Sequence, residues 1–341
     1  MPRDDREIQV NRIKQITCAS CTHVIDITGY KPLSRQRCPA CGVEFQAPGQ
    51  IGQYVMFKRL AAGAMGSVYL AYDEVLGRRI ALKIVSAPAS KDDDLYEGAL
   101  REARVQASIN HPNVAQVYAM SEDMGQPYII MELVDGGSVF GEIKDQGPMQ
   151  EIDTLRIGID AANGLYAAQK LGLLHRDMKP ANLLLDRDRR AKVIDFGLAE
   201  RLKNQGEGKV VGSPYYMAPE IARGNVADHR ADIYSLGATL YHMLTGGPPF
   251  KHPGATPRDI VLRRFKVPPP DPAEHTANLH ESTSRLVQSM MALEADHRPA
   301  DYPALVRRMK QAIALIRRDR ASPDDGDDPL QALSDAVQGR G

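Results

Sequence analysis

Between Tyr54 and about residue 87, short β-branched or aromatic runs (YVMFKRL, SVYLAYD, RRIALKIV) alternate with glycine. That rhythm predicts an antiparallel meander. The period then changes. The stretch DDDLYEGALREARVQASI places acids first and apolar residues at three-and-four spacing, which predicts a helix stopping before His111-Pro112. VAQVYAMS and QPYIIMELV read as strands again, and Gly136-Gly137 interrupts the chain. Beyond it, DTLRIGIDAANGLYAAQKLG, RADIYSLGATLYHMLTG and STSRLVQSMMALEAD carry apolar faces at helical spacing. Strands first and helices second predict an α+β protein with two lobes. From Arg317 the chain turns rich in Asp and Gly and poor in large apolar residues, and it reads as a disordered acidic tail over 317–341.

Composition sets bounds on this picture. The chain has 341 residues, 43% apolar and 25% charged, enough for two folded units with a sizeable core. Its 43 Lys and Arg balance 43 Asp and Glu, so no global field is available to hold nucleic acid or an anionic membrane. No apolar run has the length of a membrane helix, and the opening MPRDDREIQVNRIKQ is too charged for a signal-peptide core. A cytoplasmic location with no membrane partner is the expectation.

All four cysteines fall in two C-x-x-C pairs, Cys18/Cys21 and Cys38/Cys41, separated by sixteen residues. Each such knuckle turns two thiolates toward one tetrahedral metal, so the pattern predicts a four-thiolate zinc ribbon over 15–46, with a redox dithiol pair as the alternative. A module this short needs its metal to fold. His23 is read as a bystander. From residue 12 to 46, five Lys and Arg face two acids, which is only mildly basic. Docking or structure is therefore favoured over nucleic-acid binding. Residues 1–14 form an N-terminal segment, and 47–53 (APGQIGQ), with two glycines, a proline and no charge, read as a linker.

Four further motifs follow in order. LAAGAMGSVYLA (60–71) is a glycine loop in which Ala61 precedes Gly63 and Gly66; ALKIV places Lys83 on a strand, nineteen residues before Glu102 on the predicted helix; HRDMKPAN (175–182) groups Asp177, Lys179 and Asn182; IDFGLAE contains Asp195. A lone glycine loop or strand lysine is weak evidence, because turns and solvated edge lysines share those forms. Taken together, over about 54–314, these motifs resemble the eukaryotic-type serine/threonine protein kinase superfamily.

The resemblance implies a bilobal kinase fold over 54–316, with a β-rich lobe at 54–134 and a helical lobe at 135–316. It implies transfer of the ATP γ-phosphoryl group to Ser or Thr hydroxyls of protein substrates, with Mg²⁺. Lys83, held by Glu102, would meet the α- and β-phosphates. Asp177 would take or orient the acceptor proton, Lys179 would neutralise the γ-phosphate, and Asn182 and Asp195 would hold the metal. These groups would converge on one metal-bound triphosphate between the lobes. Around the nucleotide the likeness places Ala61, Gly63, Gly66, Val68, Ala81 and Leu184, with Met131 as gatekeeper and the backbone of Glu132 and Val134 on the base edge. It also implies a Glu220–Arg298 brace, Asp232 behind the catalytic loop, and Ser213 beside Asp177 and Lys179.

Two departures stand out: Ala61 replaces the first glycine, and Gln106 stands where an apolar side chain would face Phe196. From Phe196 to Gly212 there is no Ser, Thr or Tyr, and Lys209 occupies the usual phosphosite. Arg176 is therefore expected to go unpaired or to use Glu200 or Glu207, with activity independent of a phosphate there. An active kinase is the first reading. A pseudokinase scaffold recruiting a partner through the ribbon, and a nucleic-acid sensor, are the alternatives.

Overall fold

The computed structural model describes residues 13–63, 66–85, 104, 106–196 and 214–321. Glu102, Glu200, Glu207, Lys209 and Ser213 lie outside them. The chain divides into two compact units. One holds the residues up to Ser138 with Ala167–His175 and Leu183–Lys209; the other holds Val139–Tyr166, Arg176–Asn182 and everything from Val210.

The first unit opens with two small hairpins. Strands β1 (Gln15–Thr17) and β2 (Val24–Asp26) pair antiparallel, as do β3 (Arg35–Arg37) and β4 (Glu44–Gln46), and each connecting turn carries one cysteine pair. Their shared core is tiny: Ile25, Ile27, Cys18 and Cys38 are its buried members. Six strands then form one sheet in the order β5-β6-β7-β8-β10-β9. They are β5 (Gly49–Ile51), β6 (Tyr54–Gly63), β7 (Gly66–Asp73), β8 (Arg78–Val85), β9 (Val117–Asp123) and β10 (Gln126–Met131). Period-two alternation sends Ile80 and Leu82 to the core with Met56, Ala71, Tyr128 and Ile130.

The stretch expected as a linker is built into this sheet. Gly49–Ile51 pairs with Tyr54–Met56, Ile51 joins the core, and Leu33 of the ribbon packs against the same cluster. Leu33 also donates its N–H to Ala47 at 2.7 Å, and Gly52 donates its own to Asp123 at 2.8 Å. Gly52 sits at φ 54°, and a Cβ there would lie 2.8 Å from the Tyr128 hydroxyl. Glycine and proline read as flexibility in the sequence. Here they make a tight turn under an edge strand.

In the second unit, helix α1 (Val139–Gln146) is followed by α2 (Glu151–Gln169), whose last residues, from Ala167, belong to the first unit. After α3 (Pro219–Ala222) comes α4 (His229–Thr245), in which every residue from Ala231 to Leu244 is buried. The apolar stripe predicted for α4 is thus a fully enclosed helix. Its polar residues are paid for locally or by partners: Ser235 and Thr239 donate back to Ala231 and Ser235, and Asp232 accepts from the Arg176 N–H at 2.7 Å. Helices α5 (Pro257–Arg263), α6 (Glu281–Met290) and α7 (Tyr302–Arg320) complete the unit. Helix α7 runs through 317–320, the start of the expected tail, because tertiary ion pairs hold that turn. Asp319 meets His280 at 3.0 Å and Arg320 meets Glu151 at 2.5 Å. Among the described residues no helix is long and apolar enough to cross a membrane.

Candidate functional site

The four sulfurs of Cys18, Cys21, Cys38 and Cys41 lie within 4.8 Å of one another. The Cys18–Cys41 and Cys21–Cys38 separations are both 3.7 Å. A tetrahedral zinc with Zn–S bonds of about 2.3 Å has edges of about 3.8 Å, so the donor set fits that ion. The two knuckles repeat one geometry. Cys18 and Cys38 donate their N–H groups to His23 and Val43, and accept from Thr22 and Gly42, both at positive φ. Backbone N–H groups of Cys21 and Ser20 aimed at the Cys18 sulfur lower its pKa, while the Cys21 thiol next to it is shifted upward.

On β8, Lys83 stands opposite Val68 and Ile129, and Ala81 stands opposite Leu70 and Met131. Lys83 and Ala81 therefore share the face away from Ile80 and Leu82. Ala61 pairs with Val68 just past a register shift and without positive φ, so its backbone does not call for glycine. Gly63 and Gly66 pair at the end of the same hairpin. Glu132 donates its N–H to Gln116 at 2.8 Å and its carboxylate holds Lys192 at 3.0 Å, so a base-reading role would fall to its carbonyl. Leu184 is half-buried on β11 (Leu183–Leu185), which pairs with β12 (Ala191–Val193).

Strand β12 is tied to the sheet-bearing unit by Asn113, which accepts from the Val193 N–H at 2.9 Å and donates to Ala191 at 3.0 Å. That anchorage delivers Asp195, at φ 58°, to Lys83 with 2.5 Å between Oδ1 and Nζ. Both side chains are largely shielded from water, which strengthens the attraction. His175, fully buried, donates Nε2–H to the Ile194 carbonyl at 2.9 Å and packs on the Phe196 ring, centroids 5.0 Å apart. Gln106 is half-buried.

In the second unit, Asp177 and Lys179 form a pair at 2.5 Å. Asn182 donates its side-chain N–H to the Asp177 carbonyl at 2.8 Å, which leaves its amide oxygen as the atom suited to a hard cation. The loop's shape rests on Arg176, at φ 61°, whose N–H is capped by the buried Asp232. Glu220 and Arg298 meet in a two-pronged bridge of 2.7 and 2.9 Å. Two groups beside this loop were not singled out by motif. The Tyr216 hydroxyl and His242 Nδ1 share a hydrogen bond at 2.7 Å, and burial, followed by Lys251, lowers the His242 pKa to about 4. Burial, with Tyr215 and Asp177 adding to it, pushes the Tyr216 phenol up. Single polar residues inside an apolar helix pattern are the signal that points to such pairs.

The model of the protein kinase domain family matches residues 54–312. The chain is 34% identical over 255 residues to the serine/threonine-protein kinase PknB of Mycolicibacterium smegmatis, covering 72% of this chain and 40% of that protein. It is 32% identical over 295 residues to PknB of Mycobacterium tuberculosis, covering 83% and 45%. The chain thus spans less than half the length of these curated relatives. A crystal structure of a mutant PknI kinase domain from Mycobacterium tuberculosis superposes with a TM-score of 0.61 at 28% identity, over 77% of this chain and 96% of that one. The Lys83 strand with Asp195 paired to it, the helical unit carrying Asp177, Lys179 and Asn182, and the extent of the family match place this chain in the protein kinase family.

Proposed function

We propose that this chain is a serine/threonine protein kinase that moves the ATP γ-phosphoryl group to a protein hydroxyl, and that its ribbon binds one structural zinc. The observation that carries the first part is the 2.5 Å Lys83–Asp195 pair, made by residues 112 apart in sequence. On this reading Lys83 takes the α- and β-phosphate oxygens, with Glu102 as its further partner, and Asp195 and the Asn182 amide oxygen hold Mg²⁺. The metal supplies charge neutralisation across the phosphate oxygens. Val68, Ala81 and Leu184 flank the adenine, and the backbone of Glu132 and Val134 reads its edge.

Asp177 accepts the proton of the acceptor hydroxyl as its oxygen bonds to the γ-phosphorus and the bond to the bridging oxygen of ADP breaks. Lys179 balances charge on the transferred group, and its contact with Asp177 at 2.5 Å holds the two side chains together. The Lys179-Pro180-Ala181-Asn182 run supports Ser/Thr acceptors over Tyr, as do the Ser/Thr names of the relatives. A cytoplasmic location belongs to the same reading, supported by thiols gathered as metal ligands rather than paired as cystines.

Transfer of labelled phosphate from ATP to a degenerate peptide pool with fixed central Ser or Thr tests the reading. Wild type transfers to both pools, and D195A and D177A each lose about a hundredfold or more. Equal label in wild type and D195A, or nucleotide binding without turnover, would leave the pseudokinase reading in its place.

A further inference from the structure

Two arginines of the second unit approach the same buried ring. The guanidinium carbon lies 4.9 Å from the Tyr234 centroid for Arg298 and 5.9 Å for Arg264. Both are buried. Arg298 is fully satisfied: its five N–H groups go to both oxygens of Glu220 and to the carbonyls of Ala292, Leu293 and Arg230. Arg264 is only 2% exposed, yet its Nε and Nη1 have no partner among the described residues. Burial lowers its pKa, and Tyr234 alone opposes the shift. An apolar side chain of similar volume at such a position is commonly at least as stable as the charge it replaces. Breaches of burial rules of this kind gather at functional positions.

The one side-chain hydrogen bond that Arg264 makes among the described residues is informative. Its Nη2 donates to the carbonyl of Pro214. Proline has no N–H, so that carbonyl is the only backbone hydrogen-bonding group by which residue 214 can be tethered. Two residues later Tyr216 bonds His242 and feels the charge of Asp177. The tether therefore sets the backbone of 214–216 beside the residue assigned to the acceptor hydroxyl. We propose that Arg264 is a positioning residue for the polypeptide substrate, acting through the Pro214 carbonyl to fix the segment against which that polypeptide lies. The proposal rests on the kinase reading above.

The test uses the full chain, the serine peptide pool, and the variants R264M and R264K. R264M should melt at the same temperature as wild type or higher, with peptide KM raised about tenfold and kcat and the KM for ATP within about twofold. R264K, which keeps one donor for Pro214, should recover most of the peptide KM. An unchanged peptide KM in R264M overturns the proposal, as does a lowered melting temperature with kcat and both KM values shifting together, which marks a scaffold role alone. Absence of transfer by wild type overturns the kinase reading and this proposal with it; turnover in wild type with R264M indistinguishable from it sinks only the latter.

Discussion

The ribbon and the helical unit reach order by opposite means. Two of the ribbon's four buried core members are the cysteines Cys18 and Cys38, so there is little apolar surface to drive folding. In the helical unit, α4 is enclosed along its whole middle, and burial of ordinary apolar side chains supplies the driving force. Polar groups behave accordingly. In the ribbon the backbone N–H groups point at sulfur, where a metal would complete the arrangement. In the helical unit many polar groups are matched by protein partners, as in the five bonds of Arg298, with Arg264 as an exception. With zinc as proposed, the ribbon would need a ligand to finish its core, while the helical unit carries its own.

The sharpest way to break this contrast is to remove the metal. Structural zinc in small modules is worth about 10 to 16 kcal/mol of apparent folding free energy. Cys38→Ser, or a strong chelator, should release one zinc per chain and strip hydrogen-exchange protection from 15–46. Protection in α4 should persist; its loss would show that both regions depend on the metal. Because Leu33 and Gly49–Ile51 are packed into the sheet, protection of β5 and β6 should fall along with the ribbon.

A smaller effect is expected inside the helical unit. Arg298→Met strands the Glu220 carboxylate and three carbonyls, and denaturant unfolding should show a loss of about 3 to 5 kcal/mol. R264M should show none, although both arginines are buried beside one tyrosine. Equal losses in the two variants would erase the distinction between a satisfied and an unsatisfied guanidinium.

The smallest effect comes from pH. His242 has a folded pKa of about 4 against an ordinary 6.5. Between those values the unfolded chain binds a proton that the folded one excludes, so stability falls as pH drops from about 6.5 to about 4. The loss is of order 2 kcal/mol after allowance for residual solvent screening. Melting curves across that window should flatten in H242Q, whose amide can either donate to or accept from the Tyr216 hydroxyl. A slope unchanged by the substitution would assign the titration to other groups.

Much of the chemistry was legible because it is local. The cysteine knuckles and the Asp177, Lys179 and Asn182 set each occupy a few consecutive residues, and local spacing survives folding unchanged. Lys83 was singled out by its place in ALKIV, nineteen residues before Glu102, and its pairing opposite Val68 and Ile129 then fixes its face. The stretch 47–53 misled because Gly and Pro signal a turn without saying whether an edge strand will accept its neighbours. The last turn of α7 looked like tail because its stabilising partners, Glu151 and His280, lie far back in the chain.

Residue types and their intervals pointed to the cysteine cluster, the strands-then-helices order, and the family to which the chain belongs. Folding alone decided which polar groups found partners. Arg264 and Arg298 are the same residue in similarly polar stretches, yet one received a carboxylate and three carbonyls and the other a single proline carbonyl. Burial and partnership are properties of contacts between distant segments, and no interval along the chain encodes them.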